Sequence, residues 1–152
     1  MSTSCLVIGG TGAQGAAVVR ALASSCKYSV KVLTRDVSSS HAQELCAPSV
    51  SLIEGDCFNE GDLAAAFKGI ESCFVNTNGF AVGEKSEVYR GIRIYEIAAF
   101  ARVRHFVYGG LDYCSRKAGF DPKYRCHHYD AKGKVGGEHY QRLDQGMEMI
   151  NC

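Results

Sequence analysis

Short apolar runs alternate with segments of helical spacing along almost the whole chain. Residues 4–8 form a continuous apolar run closed by Gly9-Gly10, which predicts a strand buried on both faces. Residues 30–33, 50–54, 72–75 and 105–108 repeat the signature, and residues 147–150 predict the start of a sixth strand. Between them, residues 13–24 set Ala16, Val19, Leu22 and Ala23 on one helical face. A short helix over 40–45 has Ser39 or Ser40 as its cap, and an acidic-start helix over 60–67 is closed by Gly69. Residues 87–101 place Val88, Ile92, Tyr95 and Ala99 at helical spacing. Residues 111–127 read as loop, with the turn signal Asp121-Pro122, and a last helix covers 131–143, weakened by Gly133, Gly136 and Gly137. Strict alternation of strand and helix predicts an α/β fold with helices on both faces of a parallel sheet. The expected architecture is a doubly wound, three-layer Rossmann sheet of five or six strands, ordered 3-2-1-4-5 and then 6.

The first strand and first helix are joined by Gly9-Gly10-Thr11-Gly12-Ala13-Gln14-Gly15. Gly9 permits a tight turn, Gly12 lets backbone approach a diphosphate, and Gly15 lets the helix pack close to the sheet. Amide groups of the first turn, from Thr11 through Ala13 and Gln14, then face the phosphates, aided by the helix dipole. The strand–loop–helix context gives this glycine pattern its value as a nucleotide signal. Strand two ends in Thr34-Arg35-Asp36. An acid about 20 residues past the glycines would bind a ribose 2′-hydroxyl and favour NAD. Arg35 suits a 2′-phosphate instead, so NADP is preferred; Asp36 keeps NAD open. After strand three, Asp56 and its neighbour Cys57 stand where adenine would lie, although Asp56 also suits a turn cap. Asn76 and Thr77 follow strand four, at the sheet edge where ligands of this fold sit, and equally suit a turn.

Composition narrows the field without redirecting it. The chain has 152 residues, 46% hydrophobic and 22% charged, with net charge +1, which fits one globular domain over 1–152. Seven basic residues (Arg116, Lys117, Lys123, Arg125, Lys132, Lys134, Arg142) face three acids between 114 and 142. That segment reads first as a solvated loop and helix face. No aromatic-interleaved basic stripe points to direct nucleic-acid binding. Eight cysteines form no paired metal spacing, and no apolar stretch suits a signal peptide or a membrane span. A reducing cytoplasmic or nuclear setting is expected.

Taken in order, the glycine loop, Thr34-Arg35, Gly55-Asp56, the run 106–112 and His128-Tyr129-Asp130-Ala131-Lys132-Gly133 resemble the NmrA-like branch of the atypical short-chain dehydrogenases/reductases. The resemblance implies binding of NAD(P) and, often, redox sensing that controls a transcription factor or another protein partner. It implies cofactor contacts at Thr11, Gly12, Gln14, Arg35, Thr77 and Lys132. Reductases of the wider superfamily use a Tyr-x-x-x-Lys helix pair and a Ser after strand five. Here His128 stands four residues before Lys132, Tyr129 three before, and Gly109-Gly110 occupy the Ser position. Family members are longer, with a C-terminal lobe absent from this chain. Loss of that cover implies bare apolar surface that would recruit a partner or a second copy. Three functions stay open: an NADP(H)-binding sensor with little catalysis, an NADPH-dependent reductase using Lys132 with His128 or Tyr129 as acid, and a non-catalytic fragment that retains the fold.

Overall fold

The structure, a computed structural model, describes residues 2–141 and 148–151. Six strands, β1 (Thr3–Ile8), β2 (Tyr28–Thr34), β3 (Val50–Glu54), β4 (Ser72–Val75), β5 (His105–Tyr108) and β6 (Glu148–Asn151), form one sheet ordered β3-β2-β1-β4-β5-β6. Every neighbouring pair is parallel. The predicted order therefore holds, and the turn of direction falls between β1 and β4. Register aligns the strand ends. Ile8 lies opposite Leu33 and Val75, and Val75 lies opposite Tyr108. The residues next in sequence, Gly9, Asn76 and Gly109, thus meet side by side at one edge.

The strands lack polar alternation because both faces are covered. Leu6, Ile8, Cys73, Val75, Phe106 and Tyr108 pack with α3 (Glu60–Phe67), α5 (Glu84–Phe100) and α7 (His127–Gln141) on one side. Val7, Val30, Val32 and Phe74 pack on the other with Val19 of α1 (Ala13–Ser24) and with Leu45, which follows the short α2 (Ser40–Gln43). Each such fully buried side chain contributes about 1.5–3 kcal/mol.

Helix positions differ from expectation in several places, and α2 ends at Gln43 where the expected helix ran to 45. α5 begins at Glu84, with Glu84 and Glu87 in its first turn where the helix dipole favours acids. α7 begins at His127, four residues earlier than 131. There the His127 ring meets Glu84 at 2.8 Å and Asp130 N–H bonds to the Cys126 carbonyl at 2.8 Å, so tertiary contacts carry a start that propensity does not. The expected end of that helix at 143 lies outside the described residues. Single-turn α4 (Gly79–Val82) and α6 (Cys114–Lys117) and the 3-10 turn Pro122–Tyr124 occupy segments without readable periodicity. Among the described residues no helix is long and apolar enough to cross a membrane.

Candidate functional site

The loop after β1 turns as its glycines require. Gly9 has φ +81°, a conformation that costs other residues. A Cβ on Gly15 would lie 2.1 Å from the Gly9 carbonyl oxygen, so only glycine lets α1 start this close to the strand end. Gly12 caps α1 from an extended conformation, and its side-chain position opens outward. No side chain among the described residues caps α1, leaving its first-turn amides directed at the sheet's carboxyl edge. Loop and edge therefore fit a dinucleotide's diphosphate: a positive φ, a close approach and open space lie where each is needed.

Arg35 follows β2 and is exposed. Asp36 is engaged elsewhere, its Oδ1 accepting from the Ser38 backbone at 2.8 Å and from the Ser38 hydroxyl at 2.6 Å. The Ser38 bonds hold its carboxyl below the usual range. Of the two neighbours left open by the sequence, Arg35 is the one not committed to that turn. Asp56 Oδ1 accepts from Phe58 N at 2.9 Å, the turn-capping role its position also suits. Cys57 is half-buried, and burial pushes its thiol up to about 11. It lines a cavity of about 260 Å³ with Phe58, Leu63 and Arg90, between α3 and α5.

The polar centre of the edge is Lys132. Its ammonium donates to Asn76 Oδ1 at 2.9 Å, to the Thr77 carbonyl at 3.0 Å and to the Gly109 carbonyl at 3.1 Å. It also lies 3.5 Å from Glu87 Oε1 and 5.4 Å from the centre of the Tyr108 ring. Burial pulls the Lys132 ammonium below its usual value, and Glu87 opposes that. Asn76 extends the chain of bonds, donating from Nδ2 to Gln14 Oε1 at 2.8 Å, so α1, β4 and α7 are tied across the edge. Thr77 turns its hydroxyl inward, donating to Glu87 Oε1 at 2.8 Å, with the Tyr108 hydroxyl 3.3 Å away. A Cβ on Gly109 would sit 3.0 Å from Asn76 Oδ1, so the Asn76–Lys132 pair fills the space a serine would need.

His128 lies on α7 one turn before Lys132, with its ring on Phe80 at 4.5 Å and Nδ1 3.6 Å from Cys126 Sγ. Tyr129 is exposed and packs edge-on against His128 at 4.9 Å. Glu87, which is wholly buried, went unnoticed in the sequence. The signal was present: Glu87 falls on the face that continues through Gly91, Ile94, Tyr95 and Ala98.

The basic segment is largely paired. Glu84 receives Lys134 at 2.5 Å, His127 at 2.8 Å and Arg125 at 3.1 Å, clasping the start of α5 to α7. The bonds from Lys134, then His127, hold the Glu84 carboxyl at about 2. A depressed carboxyl stabilises the fold above its unfolded pKa and loses that contribution as pH falls towards the folded one. Glu84→Gln is therefore expected to melt below the wild type at neutral pH. The gap should close between the ordinary 4.5 and about 2, as read by thermal denaturation against pH. A gap independent of pH would refute the clasp.

Comparison with known proteins agrees with the fold. The NmrA-like family matches residues 1–142. The NmrA-like oxidoreductase malD of Malbranchea aurantiaca is 34% identical over 137 residues, covering 81% of this chain and 41% of malD. NmrA, a negative transcriptional regulator solved with NADP, superposes with TM-score 0.80 at 22% identity, over 99% of this chain and 44% of that one. Its complex with NAD gives 0.79 at 23%, over 99% and 44%. The chain thus spans about two-fifths of the length of the relatives it matches. With the glycine loop, the strand order and this match in agreement, the chain belongs to the NmrA-like family.

Proposed function

We propose that this chain binds NADP(H) across the carboxyl edge of its sheet and senses nucleotide occupancy for a protein partner, with little catalysis of its own. Gly9, Thr11, Gly12, Ala13, Gln14 and Gly15 would hold the diphosphate, and Arg35 the 2′-phosphate. The loop carrying Asp56 and Cys57 would border adenine, and Asn76, Thr77 and Lys132 the ribose and nicotinamide half. Binding of NADP and of NAD by NmrA supports the cofactor class. The bound nicotinamide would supply hydride chemistry. The observation that argues for sensing over turnover is Lys132: three acceptors of this chain already engage its ammonium, and glycine replaces the usual hydroxyl at 109. The seven described cysteines are free thiols, which suits a reducing cytoplasm or nucleus.

Calorimetric titration with NADP+, NADPH and NAD+ tests the reading. The wild type is expected to prefer the phosphorylated nucleotides. Arg35→Ala should lose that preference by about tenfold or more, the scale of one charge-assisted hydrogen bond. Unchanged preference would remove Arg35 from the site.

A second reading, an NADPH-dependent reductase, draws on relatives named as oxidoreductases. It would use Lys132 with His128, and it requires NADPH consumption with a carbonyl substrate that Lys132→Met abolishes.

A further inference from the structure

Glu87 is a buried acid that no motif accounts for. It sits on α5 with none of its surface exposed, and its Oε1 gathers the Thr77 hydroxyl and the Lys132 ammonium. Its Oε2 has no hydrogen-bond partner among the described residues. The opposing backbone is glycine for a local reason: a Cβ on Gly79 would fall 1.7 Å from Oε2. The order of donors is informative. Thr77 gives its proton to Glu87, so the Thr77 oxygen is left to accept from the Tyr108 hydroxyl. A carboxylate at Glu87 would accept both donors, the Thr77 hydroxyl and the Lys132 ammonium, at its Oε1.

We propose that Glu87 is the positioning residue of the nucleotide site, holding Lys132 as an ammonium and Thr77 in register, and cancelling the lysine charge inside the edge. The inference rests on the nucleotide-binding function proposed for this edge. Physical necessity supports it. A buried ammonium with only neutral acceptors is costly, and so is a carboxylate alone in the same place. Together they form a pair of no net charge at the point where Asn76 links Lys132 to Gln14 and the glycine loop.

The groups facing Lys132 are Glu87 from α5, Tyr108 from β5 and the neutral Asn76 and Thr77 after β4, while the His128 ring one turn back on α7 packs on Phe80 and Tyr129. Burial pushes the Tyr108 phenol up, so it stays neutral between pH 7 and pH 9. Removing the Glu87 charge should therefore let Lys132 lose its proton at lower pH.

The test is a pH titration of the Lys132 13Cε resonance in the 152-residue chain labelled with 13C-lysine, assigned by its absence in Lys132→Arg, which keeps the charge. In Glu87→Gln the Lys132 signal should titrate at lower pH than in the wild type. NADP+ affinity should then fall about tenfold over the pH range in which that signal titrates, the scale of a lost charged hydrogen bond, while the wild type stays flat over the same range. Glu87→Asp keeps the charge at a greater distance. It should restore a nearly flat profile and place the lysine titration between the other two, and it carries the test should Glu87→Gln fail to fold. A merely structural role would lower the melting temperature and leave the lysine titration unmoved, which would overturn the proposal. If the wild type binds no nucleotide, the proposed function fails, and the lysine resonance still decides the role of Glu87 because it needs no nucleotide.

Discussion

Gly9→Ala is expected to lower stability by about 2–5 kcal/mol and to abolish nucleotide binding. Two costs combine. Alanine at φ +81° costs about 1–2 kcal/mol, and its Cβ would lie 2.3 Å from the Asn76 carbonyl oxygen, an overpacking of about 1–3 kcal/mol. The neighbour is backbone, so no side chain can rotate away. For a chain of this size that loss is a fall of roughly 4–20 °C in melting temperature. Gly12→Ala separates folding from binding. A Cβ there meets only the Gly9 carbonyl oxygen, at an ordinary 3.4 Å, and points into open space. Its stability should change by less than about 1 kcal/mol. Its methyl would nonetheless stand where the backbone must approach the diphosphate, so NADP+ affinity should fall at least about tenfold, a cost of about 1.4 kcal/mol. Calorimetry and thermal melts on the two variants check both halves. Wild-type affinity in Gly12→Ala would move the diphosphate away from this loop.

The strand–helix rhythm was legible because both faces of each strand are buried, so apolar runs stand out against polar helices. The glycine loop was legible because its geometry depends on missing side chains, which the sequence displays directly. Other features depend on partners far along the chain. The choice between Arg35 and Asp36 is a local exception: it turns on a tight turn in which the Ser38 amide and hydroxyl, two residues on, engage Asp36. The inner face of α5 was read from Val88, Ile92, Tyr95 and Ala99, whereas Gly91, Ile94, Tyr95 and Ala98 are the buried positions with Glu87. Glycine and glutamate carry no hydrophobic signal, so periodicity settled on the neighbouring stripe. Lys132 was visible as a position, but its partners Asn76, Thr77, Gly109 and Glu87 come from three other elements. The paired state of the basic segment was hidden for the same reason, since its main acceptor, Glu84, lies 41 residues before Arg125.

Lys132→Met is expected to be more damaging than Glu87→Gln, although each removes one member of the same pair. Methionine leaves Glu87 as a wholly buried carboxylate that has lost its cation and already has one oxygen without a partner. Breaking a buried pair in this way costs about 3–5 kcal/mol, a large share of the roughly 5–15 kcal/mol typical of a whole domain. It also strips a donor from Asn76 Oδ1 and from the Thr77 and Gly109 carbonyls. The reverse change is milder, because Lys132 keeps those three acceptors and glutamine can still accept from Thr77. The double variant Lys132→Met/Glu87→Gln should recover at least about 1 kcal/mol over Lys132→Met, since no unpaired charge remains buried. Urea denaturation of the four proteins completes the cycle. A double variant less stable than Lys132→Met would mean that Glu87 and Lys132 do not act as a charge pair. The sensor reading would then lose the neutral pairing around Lys132 on which it depends.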